Sequence, residues 1–552
     1  MLTFPHFTPT FPRAHWTLPH VLRHQAATRG GKTWLRWGDD GPGWSFAETA
    51  QMAFRLANGL AAQGVGKGDR VALFLPNCPE FIFAWFGLQT LGAVEVAVSD
   101  AYKGAFLTHP LRLADVRMVI TTPGLAARLP EIESDLPGLS TVVLVGDGPA
   151  PALARMEVLR WGDLVSDDAT DPATKVAPQD LAAILFTSGT TGPSKAVAMP
   201  HSQFHFFAEE DVQLTQLTAD DVYMTGFPLI HGNAQFLTVY PTLIAGAECV
   251  LYPRFSASDF IGRARRSGAT VTNLLGATMA FICAQPERAD DRDHRLRCIY
   301  AAPLPSDLAP VFTGRFGDIA FVDGFGQTEI SNVFMTPPGA ARPAGASGCL
   351  VDQWFEARLV DPETGEDVPE GQPGELWVRN KAPGIMSDGY FGMPDKTVEA
   401  WRYLWFHTGD AMRRDAEGWY YFVDRVKDAL RRRGENISSF EVEAVVRAHP
   451  AVAECAVIGV PADEDGGENE VMAFVVPAAG APDWAELVAW CDARMPYFMV
   501  PRFFEAVDDL PRTPSEKVKK KDLRDRGRGP ATWDRLRAGV ALDSERRKKA
   551  RA

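Results

Sequence analysis

The chain has 552 residues, with 56 Lys/Arg against 70 Asp/Glu, a net charge of −14. Apolar residues make up 46% and charged residues 23%, which excludes a disordered, collagen-like or coiled-coil chain, while the acidic balance excludes a body built to grip nucleic acid. No run reaches the roughly 18 apolar residues of a membrane span, the Pro-broken N-terminus lacks a signal-peptide core, and seven cysteines without CxxC spacing exclude a disulfide scaffold or zinc ribbon. A cytoplasmic enzyme with no nucleic-acid partner and no integral membrane segment is the class left standing.

In chain order, Val71–Leu75 predicts a buried strand and Glu80–Leu91 the helix after it. Further strands are predicted at Val116–Thr121, Thr141–Val145, Leu181–Phe186, Thr270–Leu275 and Ile319–Val322. Short β-rich runs alternating with helical ones predict βαβ units. The expected class is α/β, with two doubly wound subdomains and ligands bound beyond the carboxyl ends of the strands. From about Ser347 the texture changes. Phe355–Val360, Gly374–Val378 and Trp419–Val423, separated by turn-rich segments, predict antiparallel strands and a small barrel. Next come the basic stretch DRVKDALRRRGEN and a compact α+β unit: helix Phe440–Ala448, strands Ala453–Val460 and Val471–Val476, and helix Asp483–Arg494 with Asp483 as its N-cap. The resulting division is an N-terminal domain over 1–424, a hinge over 425–428, a mobile C-terminal domain over 429–525 and a solvated basic tail over 526–552. From Arg512 to Ala552 there are 15 Lys/Arg against 6 Asp/Glu.

The strand Leu181–Phe186 runs straight into Thr187-Ser188-Gly189-Thr190-Thr191-Gly192-Pro193-Ser194-Lys195. Glycines let the backbone turn tightly and present N–H groups, five hydroxyls add donors, and Lys195 brings a charge. Successive amides, hydroxyls and one ammonium make a polyphosphate cradle. It is not a Walker A loop, because Lys195 follows Ser194 and precedes Ala196, and no GxGxxG follows a strand.

TSGTTGPSK resembles the signature loop of the adenylate-forming superfamily, which includes acyl-CoA synthetases, peptide-synthetase adenylation domains and beetle luciferases. The other signatures follow in order: GFGQTE (Gly324–Glu329) with Phe325 where Tyr is usual, HTGD (His407–Asp410), DRVKDALRRRGENISSFEVE (Asp424–Glu443) and PRTPSEKVKKKDLR (Pro511–Arg524). Together they span about residues 50–525. The wording of RRRGENISSFEVE and TVTNLLGAT is similar to bacterial ligases of the carnitine/crotonobetaine type.

The resemblance implies ATP and Mg²⁺ as cofactors, CoA as co-substrate and a small carboxylic acid as partner. It implies that Thr187, Ser188, Gly189, Thr190, Thr191, Gly192 and Lys195 hold the phosphates, and that Glu329 with Thr187 holds Mg²⁺. Thr328 would bond the α-phosphate, Phe325 would stack on adenine and Asp323 would line that pocket with the Ala301-Ala302-Pro303 turn. Asp410 would bind the ribose hydroxyls, with Arg425 also on the nucleotide. Lys427 falls at the hinge, Lys517 is the catalytic lysine of adenylation, His231 gates the path between acid and thiol, and Gly434 borders the pantetheine tunnel. Lys517 stands after Glu516 and Arg425 after Asp424, where the family usually has glycine.

The implied reaction is an acid–CoA ligation through an acyl-adenylate, releasing AMP and pyrophosphate. Segments His231–Phe236 and Asn273–Met279 are apolar or small and suit a short-to-medium, alicyclic or aromatic acid. The alternative is adenylation of an amino or acyl group for a carrier protein, against which stands Ile230-His231-Gly232-Asn233, with no aspartate for a substrate amine. A binding protein that uses its tail on anionic surfaces is a third reading, opposed by Lys195, Glu329, Asp410 and Lys517 together. Homodimer formation is left open.

Overall fold

A computed structural model describes residues 2–187, 194–425, 430–432, 435–437, 439–461, 469–480, 482–495, 497, 499–512 and 517–542. In its first sheet the strands lie in the order Glu157–Arg160, Thr141–Leu144, Met118–Thr121, Arg70–Phe74, Val94–Ala97, Leu181–Thr187, Lys195–Pro200. All neighbours are parallel except the last pair, a hairpin. The second sheet runs Ala320–Val322, Cys298–Ala301, Val271–Leu274, Val222–Thr225, Glu248–Leu251, Thr33–Trp37, Gly43–Ser45, again parallel but for the final hairpin. Met118–Thr121 and Cys298–Ala301 are buried at every position, which is why they read as unbroken apolar runs.

The predicted helix after the first strand spans Pro79–Leu91. Proline in its first turn leaves no useful donor unmet, and every residue except Glu80 is buried. Its greasy run therefore fills an interior. The helix His201–Thr215 is buried at every position but one, and it touches strands of the first, second and third sheets.

The third sheet is antiparallel, in the order Gly324–Gln327, Ser331–Met335, Ala346–Leu350, Trp419–Arg425, Phe406–Arg414, Gly374–Asn380, Phe355–Val360. Where the sequence suggested a small barrel, the described strands pair as a row of seven whose two end strands are not bonded to each other. Residues 388–391 lace this part to the first sheet: Asp388 N–H donates to Ala198 O, Ala198 N–H to Gly389 O (both 2.9 Å) and Phe391 N–H to Ala196 O at 2.7 Å.

The C-terminal unit is a four-stranded sheet, Val452–Pro461, Asn469–Pro477, Phe503–Ala506 and Trp533–Asp534, with helices Ser439–Arg447 and Trp484–Asp492. Asp483 caps the second helix as expected, accepting from Ala485 and Glu486 N–H. The expectation of a solvated tail over 526–552 fails for its first part. Trp533–Asp534 is an edge strand on Phe503–Ala506, Arg502 grips Asp534 through two nitrogens at 3.2 and 3.1 Å, and Arg535 and Leu542 are each 1% exposed. Trp533 lies half-buried against Trp484 and Phe504, so docking of one aromatic overrides the surrounding charge. Residues 543–552 lie outside the described residues.

Candidate active site

The hairpin Leu181–Thr187/Lys195–Pro200 brings both ends of the Ser/Thr/Gly loop together, with Thr187 paired to Lys195. Ser188, Gly189, Thr190, Thr191 and Gly192 lie outside the described residues, as do Lys427 and Gly434. Lys195 Nζ donates to the Tyr390 hydroxyl at 3.4 Å and sits 4.5 Å from that ring's centroid. Tyr390 O–H donates to Glu329 Oε1 at 2.9 Å. Burial, then the Glu329 carboxylate, pushes the Tyr390 phenol upward, so it stays a donor. Glu329 is buried, in the turn between Gly324–Gln327 and Ser331–Met335 rather than at a helix start. Thr328 is fixed by its carbonyl, which accepts from Gln203 Nε2 at 2.9 Å. Gly326 is required here because an added Cβ would stand 2.2 Å from Ser331 O.

Strand register builds the next part. Asp410 lies opposite Arg425 on neighbouring antiparallel strands, their side chains 2.7 Å apart, and Gln327 Nε2 donates to the other Asp410 oxygen at 2.6 Å. The preceding Gly409 takes φ 69°, a left-handed turn that aims Asp410 inward. Burial raises the Asp410 carboxyl, opposed by Arg425, Gln327 and Lys517. Phe325 lies between Phe334 and Phe422, centroids 5.9 and 6.3 Å away. Asp323 is paired with Arg342 at 2.8 Å and reached by Leu304 N–H at 3.4 Å, which sets it beside the Ala301-Ala302-Pro303 turn; burial lifts it to about 6.

From the C-terminal unit, Lys517 comes within electrostatic reach of Asp410, Glu329, Arg425 and His231, although much of the residue is exposed. Burial of its ammonium, then Arg425, lowers its pKa, against the pull of Asp410 and Glu329. His231 begins a short helix, Gly232–Ala234, continued by one π-turn over Gln235–Val239, a distortion frequent at functional sites. Burial, then Lys517, depresses His231 to about 4, so the imidazole is neutral at pH 7, and its Nε2 is buried without a hydrogen bond among the described residues.

Asp424 accepts from Ser439 N–H and Oγ–H, both at 2.6 Å, and from Arg425 N–H at 2.7 Å. The aspartate found in place of glycine thus ties the third sheet to the first helix of the C-terminal unit. Among residues the sequence reading missed, Tyr390 and Gln327 matter most. Gln327 was within reach, inside GFGQTE; Tyr390 lies 61 positions after Glu329 with no local signal.

A hairpin that closes a Ser/Thr/Gly-rich loop, a buried carboxylate paired across neighbouring strands and a lysine brought in by a small second unit are the arrangement expected of a nucleotide-activating ligase. The AMP-binding enzyme profile matches residues 22–391 and the AMP-binding enzyme C-terminal domain matches 441–517, so the chain belongs to the AMP-binding enzyme family. It is 32% identical over 491 residues to a crotonobetaine/carnitine–CoA ligase of Salmonella paratyphi A, covering 87% of this chain and 93% of that protein. The anthranilate CoA ligase AuaEII, solved with anthranoyl-AMP, superposes with TM-score 0.84 at 27% identity, over 94% of this chain and 98% of that one. ATP-bound MatB from Rhodopseudomonas palustris gives TM-score 0.81 at 28% identity, over 93% and 99%.

Proposed function

We propose a two-step course for this chain, which is an AMP-forming acid–CoA ligase. In the first step a carboxylate oxygen attacks the α-phosphorus of ATP, and pyrophosphate leaves with the electron pair of the broken P–O bond. In the second, the sulfur of CoA displaces AMP from the acyl-adenylate. Catalysis of the first step is positioning plus neutralisation of spread negative charge. The Thr187–Lys195 hairpin and its hydroxyl-rich loop hold the phosphates, Asp410 takes the ribose hydroxyls and Phe325 stacks on adenine. Lys517 supplies a desolvated ammonium to the α-phosphate and carboxylate. His231, neutral, borders the carboxylate without competing as a second cation.

Glu329 suits Mg²⁺: one oxygen is fixed by Tyr390, and the described residues hold no cluster of three or more His, Cys, Asp or Glu, so the remaining ligands would be phosphate oxygens and water, with Thr187 alongside. Bound there, the ion would draw charge from the phosphate oxygens. In the second step the C-terminal unit turns about residues 425–428, withdrawing Lys517 and presenting Gly434 beside the thiol path.

The convergence of Lys517, Asp410 and Glu329 from separate units carries the reading. Pyrophosphate release over a panel of carboxylic acids, with and without CoA, tests it. AMP and thioester should both form with at least one acid, and intact ATP with every acid offered would end it.

A further inference from the structure

The lysine that reaches the candidate nucleotide site is borne on a short, braced segment. Val518 bridges Arg512 in antiparallel register, Lys519 N–H donates to Pro511 O at 2.7 Å, and Lys520 opens the helix Lys520–Arg526. Three residues past Lys517, the Lys520 ammonium pairs with Glu443 at 2.8 Å and donates to Ser439 Oγ at 2.5 Å. Glu443 also accepts from Val457 N–H at 2.7 Å, which fixes it to the C-terminal sheet. Ser439 Oγ–H in turn donates to Asp424 Oδ2, and Ser439 N–H donates to the same oxygen, both at 2.6 Å.

The Ser439 hydroxyl is thus used both ways, accepting from Lys520 and donating to Asp424. Asp424 is 3% exposed and Ser439 0%, so these bonds are shielded from the water that weakens surface pairs. The two ends of the chain of bonds belong to different units. Asp424 lies on the strand Trp419–Arg425 of the third sheet, before the hinge of residues 425–428, whereas Ser439, Glu443 and Lys520 lie after it. Phe440, next to Ser439, meets Phe422 edge-on with centroids 6.1 Å apart. A turn about the hinge large enough to withdraw Lys517 separates Asp424 from Ser439, while Glu443 and Lys520, within one unit, stay paired.

We propose that Asp424 is a positioning residue: its bonds to Ser439, backed by Lys520, latch the C-terminal unit in the orientation that places Lys517 in the site. The inference rests on the two-step course above and adds what sets the balance between its two orientations. Lys517 acts at the reacting atoms; Asp424 acts only through where the unit sits. Bonds to a carboxylate are among the stronger hydrogen bonds a protein makes, so breaking them on the way to the second orientation holds the balance toward the first. Glycine at 424 would offer no side-chain acceptor. When each half-reaction draws on its own orientation, the ratio of the two rates moves with the ratio of the two populations, whatever the starting balance.

The test uses the full chain with ATP, Mg²⁺, CoA and an acid it activates. Two single-turnover rates are compared: acyl-adenylate formation without CoA, and thioester formation from supplied acyl-AMP. Asp424→Gly should lower the ratio of the first to the second by about ten- to a hundred-fold. Asp424→Asn should lower it less, because the amide oxygen still accepts. Ser439→Ala, which keeps the backbone donor, should lower it by a smaller factor and add nothing on top of Asp424→Gly. Both rates falling together, or a ratio that does not move, overturns the latch and leaves the ligase reading standing. Ser439→Ala inert beside an active Asp424→Gly traces the effect instead to Arg425, whose N–H Asp424 also accepts at 2.7 Å, and overturns the latch as well. Should Asp424→Gly not fold, Asp424→Asn and Ser439→Ala decide by the same ratio. Intact ATP with every acid brings down the ligase reading and the latch together.

Discussion

In the candidate nucleotide site, Asp410 is held by Arg425 and Gln327, and Glu329 by Tyr390, so each carboxylate meets a fixed donor. On the buried helix His201–Thr215, among the described residues, Asp211 has no hydrogen-bond partner on either oxygen and Glu210 only one backbone donor. Under the proposed course ATP is the same in every turnover, and the paired carboxylates are pre-aligned to meet it. Burial pushes the Glu210 and Asp211 carboxyls well above the ordinary carboxylate range. A carboxyl paired in the fold is held in one orientation; one buried without a donor is pushed toward its protonated form.

The comparison is broken or sharpened by four measurements. Lys517→Ala should lower adenylate formation by about a hundred- to a thousand-fold, yet spare thioester formation from supplied acyl-AMP; equal loss of both half-reactions would separate Lys517 from the first step alone. Asp410→Ala removes a pre-paired acceptor and should raise KM for ATP by about ten- to a hundred-fold, with little change in KM for the acid. Tyr390→Phe keeps the ring beneath Lys195 but frees Glu329, and should cost about ten-fold in kcat for pyrophosphate release with an unchanged melting temperature.

The fourth measurement is of stability and concerns Glu95, fully buried on the strand Val94–Ala97 and met by Gln235 Nε2 at 2.7 Å. Burial raises its carboxyl from 4.5 to about 8. A raised folded value means that the stability Glu95 contributes is fully present below the unfolded pKa and is lost as pH rises through the folded one. Between those limits the loss is about 1.4 kcal/mol per pH unit, and Glu95→Gln should flatten chemical-denaturation stability measured from pH 5 to 8 by that slope.

Much of this was legible in the sequence. The strands Leu181–Thr187, Phe355–Val360 and Trp419–Arg425 were read almost to the residue because their apolar runs end at turn-forming residues. The site residues carried by the motifs converge because strand register delivers them, as with Asp410 opposite Arg425. What escaped was set by distance along the chain. Thr33–Trp37 enters the second sheet beside Glu248–Leu251, a pairing no local pattern announces. Glu209-Glu210-Asp211 carries no local signal of burial and is buried because sheets close on that helix from several sides. Trp533 sits amid basic residues, and only its docking on Phe504 and Trp484 makes a strand there.

The lacing of residues 388–391 onto Ala196 and Ala198 bears on how this fold can be recombined. The strip that braces the hairpin of residues 181–200 is encoded nearly two hundred residues downstream of it, together with Tyr390. A crossover anywhere from 201 to 387 inherits the hairpin from one parent and its splint from the other. Hybrids with related enzymes should therefore draw residues 181–200 and 388–391 from the same source, even when the segments between them are exchanged.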